Sequence, residues 1–372
     1  MAACTNNSEA VAMKKQDKKL RVAIIGCGVV APTHAEGFRA QDGVELALAC
    51  DLVENKARSL AERYGFAGFT TDYRQVMADK QVDCVAVCTD HAAHVPITVA
   101  ALKSGKHVLC EKALAADAKG LRRMFAAHAR HPKLVFSGVF QHRFDPVNRC
   151  LKKMVRDGAF GRILTAGMQV RCVRTNEYFK ADKWRGSWAR SGGAVLINQA
   201  IHSVDIMAWI MGGVKSVGGA YANLTHRGVM ETEDTATAAV CFRSGALGTI
   251  EATCSSNLGW EITISIHGTS GSVDVRDGQP IKMLFEDAAK CGEIEQAVLA
   301  TRGMITAQGA KDYYGVGHMT QIADFVAAIR KKRRPFVPAL AARHAVDIVL
   351  AIYRSHRDNG RRVELPTVKV DR

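Results

Sequence analysis

The chain has 372 residues, 48% of them hydrophobic and 23% charged, enough for two domains that each bury a core. Only eight prolines and 6% aromatics beside 32 glycines exclude a disordered or linker-rich chain and favour a layered α/β protein over a β-sandwich. Fifty-one Lys and Arg against 36 Asp and Glu give a net charge of +15, which favours anionic partners: nucleic acid, a membrane surface or phosphorylated metabolites.

Residues 1–19 carry Lys14, Lys15, Lys18 and Lys19 without an apolar stretch, and so read as a flexible basic tail rather than a secretory signal. Arg21–Ile25 is a short apolar run that fits a buried parallel strand. A glycine turn and a helix around Pro32–Ala40 follow. Val44–Cys50, Val82–Cys88, His107–Cys110 and Leu134–Gly138 repeat the strand pattern, with helices at Asn55–Tyr64 and Val95–Lys103. Strands alternating with helices predict a doubly wound parallel sheet over residues 20–140. Beyond it, Ile163–Val173, Ser216–Asn223, Thr235–Phe242, Ala246–Thr253 and Glu261–His267 read as longer strands, several separated by hairpin turns at Ser244-Gly245 and Ser270-Gly271. Ile201–Met211, Met319–Lys332 and Ala341–His356 read as helices. Residues 141–372 are thus expected to form an α+β domain with a mostly antiparallel sheet.

Eleven cysteines, several inside apolar runs and none in a CxxC pair, imply buried free thiols, a reducing cytoplasmic setting and no metal centre. No stretch is apolar for long enough to span a bilayer.

The first strand runs straight into Gly26-Cys27-Gly28-Val29-Val30-Ala31, a G-x-G-x-x-A loop that opens a helix. Its first glycine permits the tight turn, the second lets a pyrophosphate approach, and Ala31 allows close helix–strand packing. Asp51, at the end of the second strand, is placed to accept hydrogen bonds from an adenosine ribose. Its charge would repel a 2′-phosphate, so NAD is expected rather than NADP, with Lys56 and Arg58 near enough to soften that choice.

Three stretches together resemble the glucose–fructose oxidoreductase/inositol dehydrogenase/rhizopine-catabolism (Gfo/Idh/MocA) family. They are the cofactor loop, Gly105–Lys112 with its Glu111-Lys112, and Gly192–Asp205 with Asn198 and His202. The resemblance runs from about residue 20 to 366. It implies an N-terminal Rossmann domain, a C-terminal open-faced sheet that joins copies into a homodimer or homotetramer, and hydride transfer between nicotinamide and a hydroxyl- or carbonyl-bearing carbon of a sugar or cyclitol. It also extends the cofactor contacts to Thr89, His94, Glu111, Lys112 and Gln141. In this reading Lys112 orients the substrate hydroxyl, His202 shuttles its proton and Asn198 positions the ring. The chain departs from the family pattern at Ala113, where proline is usual, at Asn198, where aspartate is frequent, and at Thr89-Asp90-His91, where Thr-Pro-Asn is usual. The first two departures motivate an alternative, a catalytically silent protein of the same fold that senses NAD and a sugar.

Arg171, Arg174, Tyr178, Trp184 and Arg185 put guanidinium groups beside aromatic faces, a combination suited to a sugar bearing phosphate or carboxylate. It resembles the family branch acting on nucleotide-linked N-acetyl sugars or their uronic acids. The expected substrate contacts are therefore Lys112, Arg171, Tyr178, Trp184, Arg185, Asn198 and His202. From Arg330 to Arg362, ten Lys or Arg face only Asp347 and Asp358, about half of the charge excess. Arg330–Arg334 ends an amphipathic helix, where cations complement the helix dipole. No aromatic interleaving accompanies it, so nucleic acid is not an expected partner.

Overall fold

The computed structural model describes residues 19–302, 304 and 317–367; residues 1–18 of the expected basic tail lie outside this set. The N-terminal part runs β1 (Leu20–Ile25), α1 (Ala31–Arg39), β2 (Val44–Cys50), α2 (Glu54–Tyr64), β3 (Gly68–Thr70), α3 (Tyr73–Ala78), β4 (Cys84–Val87), α4 (His91–Lys103), β5 (His107–Cys110), α5 (Ala118–Ala129) and β6 (Phe136–Gly138). Its six strands are parallel, in the order β3-β2-β1-β4-β5-β6. Chain order reverses between β1 and β4, and a doubly wound sheet opens its ligand crevice at such a point. All four residues of β4 are fully buried, as a central strand covered on both faces requires.

A 3-10 turn at Gln141–Phe144 leads into α6 (Pro146–Arg156), β7 (Ile163–Val173), α7 (Asn176–Ala181), a π-helical turn at Val195–Gln199 and α8 (Ile201–Ile210). Then come β8 (Val214–Ala222), β9 (Thr235–Phe242), β10 (Leu247–Thr253), β11 (Ser255–Gly268), β12 (Gly271–Arg276), β13 (Gln279–Phe285), α9 (Ala289–Arg302), α10 (Gly317–Arg330), α11 (Ala339–Arg357) and β14 (Val363–Glu364). These eight strands form a second sheet, β13-β12-β11-β7-β10-β9-β8-β14. Every pair in it is antiparallel except β7–β10. Along β7 the buried residues alternate: Ala166, Met168, Val170 and Cys172 face the core, whereas Thr165, Gly167, Gln169 and Arg171 occupy the other face. The period of two therefore separates a core face from an open face.

Several boundaries differ from the sequence expectation. The central strand expected at Val82–Cys88 shrinks to Cys84–Val87, and β3, the β12–β13 hairpin and α9 carried no clear period. Helix α10, in the C-terminal half of the chain, packs back on α1. Phe325 meets Phe38 edge-on at 6.2 Å, and Ile322 lies so near Gly37 that a Cβ there would approach it to 2.3 Å.

Candidate active site

The glycine loop is shaped by backbone crowding at the switch point. Gly26 has φ +93°, and a Cβ on it would lie 2.6 Å from the carbonyl of Cys88 just past β4, so no other residue fits. Around Gly28 the space is open, with nothing within 4 Å of where a Cβ would stand. Ala31 is fully buried beneath the start of α1, and Val29 is 63% exposed. Val30 caps α1 without a side-chain acceptor; the Ala31 and Thr33 amides turn back onto the carbonyls of Gly28 (3.2 Å) and Val30 (3.1 Å), and Pro32 carries no amide hydrogen. Asp51 ties this loop to the end of β2: its oxygens accept from the amides of Cys27 (2.8 Å) and Val53 (2.9 Å). A carboxylate has further lone pairs, so the same group can still receive a ribose hydroxyl. These residues fit a dinucleotide.

Thr89 sits partly exposed at the end of β4. Two other expected cofactor contacts are buried. His94 is buried with its nitrogens facing the carbonyls of Ala113 (2.8 Å) and Thr89 (2.9 Å), so it braces the loops after β4 and β5 instead of entering the crevice. Gln141 is buried too, and its backbone carbonyl abuts Gly317 at the start of α10. The bracing by His94 follows from burial, which commits a polar side chain to protein partners. Glu111 bonds His34 of α1 at 2.8 Å and accepts from the Lys112 amide at 3.1 Å. Burial pushes its carboxyl up, but the His34 bond and the surrounding positive groups outweigh that and hold it at about 2. It stays ionised beside the lysine.

Lys112 follows β5 at the carboxyl edge of the sheet. Its Nζ donates to both the backbone oxygen (2.8 Å) and the Oδ1 (2.9 Å) of Asn198 on the π-helical turn. Burial lowers its pKa to about 8, against the pull of Glu111, and Arg174 lowers it further. One turn on, His202 packs edge-on to Phe140 (5.5 Å) and His142 (5.1 Å), and its buried Nδ1 has no hydrogen-bond partner. Burial, with help from His142, Lys112 and His318, holds His202 well below its ordinary pKa, so it is neutral at pH 7. Burial also disfavours charge on His142, yet the Asp145 carboxylate at 2.7 Å prevails and raises it. The helix carrying His202 is anchored by Asp205, which takes a bidentate bond from the fully buried Arg143 (2.7 and 2.6 Å).

Of the expected substrate contacts, Tyr178 joins the cluster directly. Its hydroxyl accepts from the side chains of Asn198 (3.3 Å) and Gln199 (3.4 Å). Its ring lies under two guanidinium groups, Arg185 at 4.2 Å and Arg174 at 4.9 Å. Arg185 also pairs with Asp182 (2.7 Å), and Trp184 stands edge-on to His91 at 5.2 Å, which spans the two halves of the chain. Arg171 is a correction. It lies on the open face of β7, where Glu251 (2.8 Å) and Glu261 (3.8 Å) take its charge, and the alternation along β7 keeps it out of the lysine cluster. Sequence reasoning passed over Glu233 and Tyr353, which support the turn bearing Asn198. The one available signal was the pair Glu233-Asp234 opening an otherwise alternating strand.

A Rossmann sheet with an open glycine cradle, joined to an α/β domain across a crevice that holds a perturbed lysine, is the plan of a nicotinamide-dependent oxidoreductase. Residues 20–139 match the oxidoreductase family's NAD-binding Rossmann fold and residues 152–365 match its C-terminal alpha/beta domain. The chain belongs to the Gfo/Idh/MocA oxidoreductase family. It is 28% identical over 259 residues to the myo-inositol 2-dehydrogenase of Thermotoga maritima, covering 68% of this chain and 74% of that one. It is 34% identical over 209 residues to the D-glucoside 3-dehydrogenase of Escherichia coli, covering 53% and 56%. Among solved structures, the WlbA dehydrogenase of Bordetella pertussis in complex with NADH and UDP-GlcNAcA superposes with a TM-score of 0.85 at 28% identity, covering 95% of this chain and all of that one.

Proposed function

We propose that this protein is an NAD-dependent dehydrogenase that oxidises a secondary hydroxyl of an anionic sugar, a nucleotide-linked N-acetyl sugar or its uronic acid. The observation that carries the reading is the Lys112–Asn198 contact. With two Nζ positions directed at the Asn198 oxygens, the third is left for the substrate: an N–H in the ammonium, a lone pair in the amine. With a pKa of about 8, both forms are populated near neutrality, so Lys112 can take the hydroxyl proton and return it. His202, neutral in this pocket, serves better as a hydrogen-bonding partner than as a store for the proton. This shifts the proton from the imidazole favoured by the sequence to the lysine. Bound NAD supplies the acceptor for the hydride that leaves the carbinol carbon.

Asn198 in place of the family's frequent aspartate does not argue for a silent protein, because its oxygens hold the lysine. Arg174 and Arg185 around Tyr178 supply positive charge beside the reacting group, which favours a carboxylate or phosphate on the sugar. The likeness to a dehydrogenase crystallised with NADH and UDP-GlcNAcA supports that substrate class. Asp51 at the ribose end favours NAD over NADP. The open face of the second sheet supports a homodimer or homotetramer, which a sedimentation measurement would test. The ten cysteines among the described residues are free, which supports a cytoplasmic location, and no helix among those residues is long and apolar enough to cross a membrane.

The decisive assay incubates purified protein and NAD with UDP-N-acetylglucosaminuronate, UDP-glucuronate, UDP-N-acetylglucosamine and myo-inositol. Reduced nicotinamide is expected to form fastest with the first. Formation with none of the four, or an undiminished rate in Lys112→Ala, would overturn the assignment.

A further inference from the structure

Beneath the turn that carries Asn198 lies a carboxylate outside every motif described above. Glu233 is fully buried. Its Oε1 accepts from the amides of Ala194 (3.1 Å) and Leu196 (3.0 Å) and from the Tyr353 hydroxyl (2.7 Å), and its Oε2 also faces the Ala194 amide (3.0 Å). Its backbone oxygen accepts from the Val195 amide at 3.2 Å. Ala194 in turn accepts from the Asn198 amide at 2.9 Å. A continuous run of hydrogen bonds thus leads from Tyr353 on α11, through Glu233 and Ala194, to Asn198 and the Lys112 amine. The chain passes Tyr353 so closely that a Cβ on Gly193, whose φ is +144°, would stand 2.0 Å from the hydroxyl oxygen.

We propose that Glu233, braced by Tyr353, is a positioning residue for Lys112: its carboxylate fixes the 194–199 turn so that both Asn198 oxygens meet the amine. A π-helical turn places its amides irregularly and needs acceptors from outside itself, and a buried carboxylate can satisfy several at once. The inference rests on the proposed proton-transfer role of Lys112. Burial pushes the Glu233 pKa up to about 7, against the Tyr353 hydroxyl and the backbone amides that lower it. The titratable groups facing it among the described residues are Tyr353 from α11, Tyr221 from β8 and Cys254 beyond β10. All three are held above their ordinary values, chiefly by burial, and stay neutral. Below about pH 7 the carboxyl gains a proton, its accepting capacity falls and the turn loses its brace.

The test uses the full chain with NAD and UDP-N-acetylglucosaminuronate. Glu233→Gln is expected to lower kcat on the order of 10²-fold, the scale of a misplaced catalytic group, with NAD affinity unchanged. The acid limb of its kcat/KM profile should also lose one ionisation, its slope falling from two to one. Tyr353→Phe removes one donor from the ionised carboxylate, so the lower of the two ionisations in that limb, that of Glu233, should move to higher pH with a smaller loss of kcat. A readout independent of turnover is the pH dependence of Lys112 acylation by acetic anhydride, followed by peptide mass spectrometry. Its midpoint should fall in both variants, because the ammonium loses well-placed oxygens. A role confined to fold stability would lower Tm and leave these profiles unchanged. Wild-type kcat, slope and acylation midpoint in Glu233→Gln overturn the inference; if that variant does not fold, an unchanged limb and midpoint in Tyr353→Phe do so. Activity retained in Lys112→Ala overturns instead the reading on which it rests.

Discussion

On the N-terminal side of the crevice, functional groups are placed by backbone: Gly26 is pinned by the carbonyl of Cys88, and Lys112 stands two residues beyond the end of β5. On the C-terminal side the same task falls to buried charge. Arg143 and Asp205 anchor the helix of His202, and Glu233 holds the turn of Asn198. Backbone placement tolerates almost any side chain that satisfies the local geometry, whereas buried charge fails when one partner is lost. The first side therefore repeats a recognisable pattern along the sequence, and the second is assembled from residues 37 to 120 positions apart.

The largest effect that can break this comparison is at the lysine. Lys112→Ala should lower kcat by about 10³-fold or more while NAD affinity, measured by calorimetry, stays within about twofold. Equal loss of both would mean that the lysine supports the loop rather than the chemistry. On the opposite side, Asp205→Ala strands the buried Arg143 guanidinium and should cost about 3–5 kcal/mol in a denaturant titration, far more than any exposed pair in the molecule. Cofactor choice should respond to Asp51→Ser by roughly 10–100-fold in the ratio of NAD to NADP affinity, the worth of a charged hydrogen bond. For the reaction itself, Lys112 must be deprotonated to accept a proton, so kcat/KM for oxidation should rise as pH rises through about 8, and the reverse reduction should weaken over the same range. A flat profile there would place the proton elsewhere. Arg171→Ala should change kcat/KM least, by less than about twofold, since its partners are Glu251 and Glu261 on the open face. A large change would return Arg171 to the site.

The N-terminal sheet was legible because buried parallel strands are continuous apolar runs and the glycine loop has a fixed place after the first of them. Strand β3 was missed because three residues carry no period. In the second domain, β7 and β9 were read at their observed bounds from their alternation, but the face that each side chain occupies was not. Arg171 and Arg174 look equivalent in the sequence, yet one is held by acids on the open face and the other lies over Tyr178. His94 matched a cofactor position and proved to be a brace between two loops.

The early clue of a +15 charge sharpened in the same way. Within the basic run, Arg330 donates to the backbone oxygen of Asp42 and Arg333 pairs with the Asp324 carboxylate, while Arg174 and Arg185 stand over Tyr178 beside Asn198. Sequence alone determined the Rossmann class, the glycine loop, the acid at the end of β2 and the lysine beyond β5, because each depends on contacts local to one strand end. Only the tertiary structure decided which cations gather over Tyr178, that Asn198 holds Lys112, and that Glu233 lies beneath them both. Those outcomes depend on burial and on partners distant in the chain, and a hydrogen bond between such partners leaves no period in the sequence.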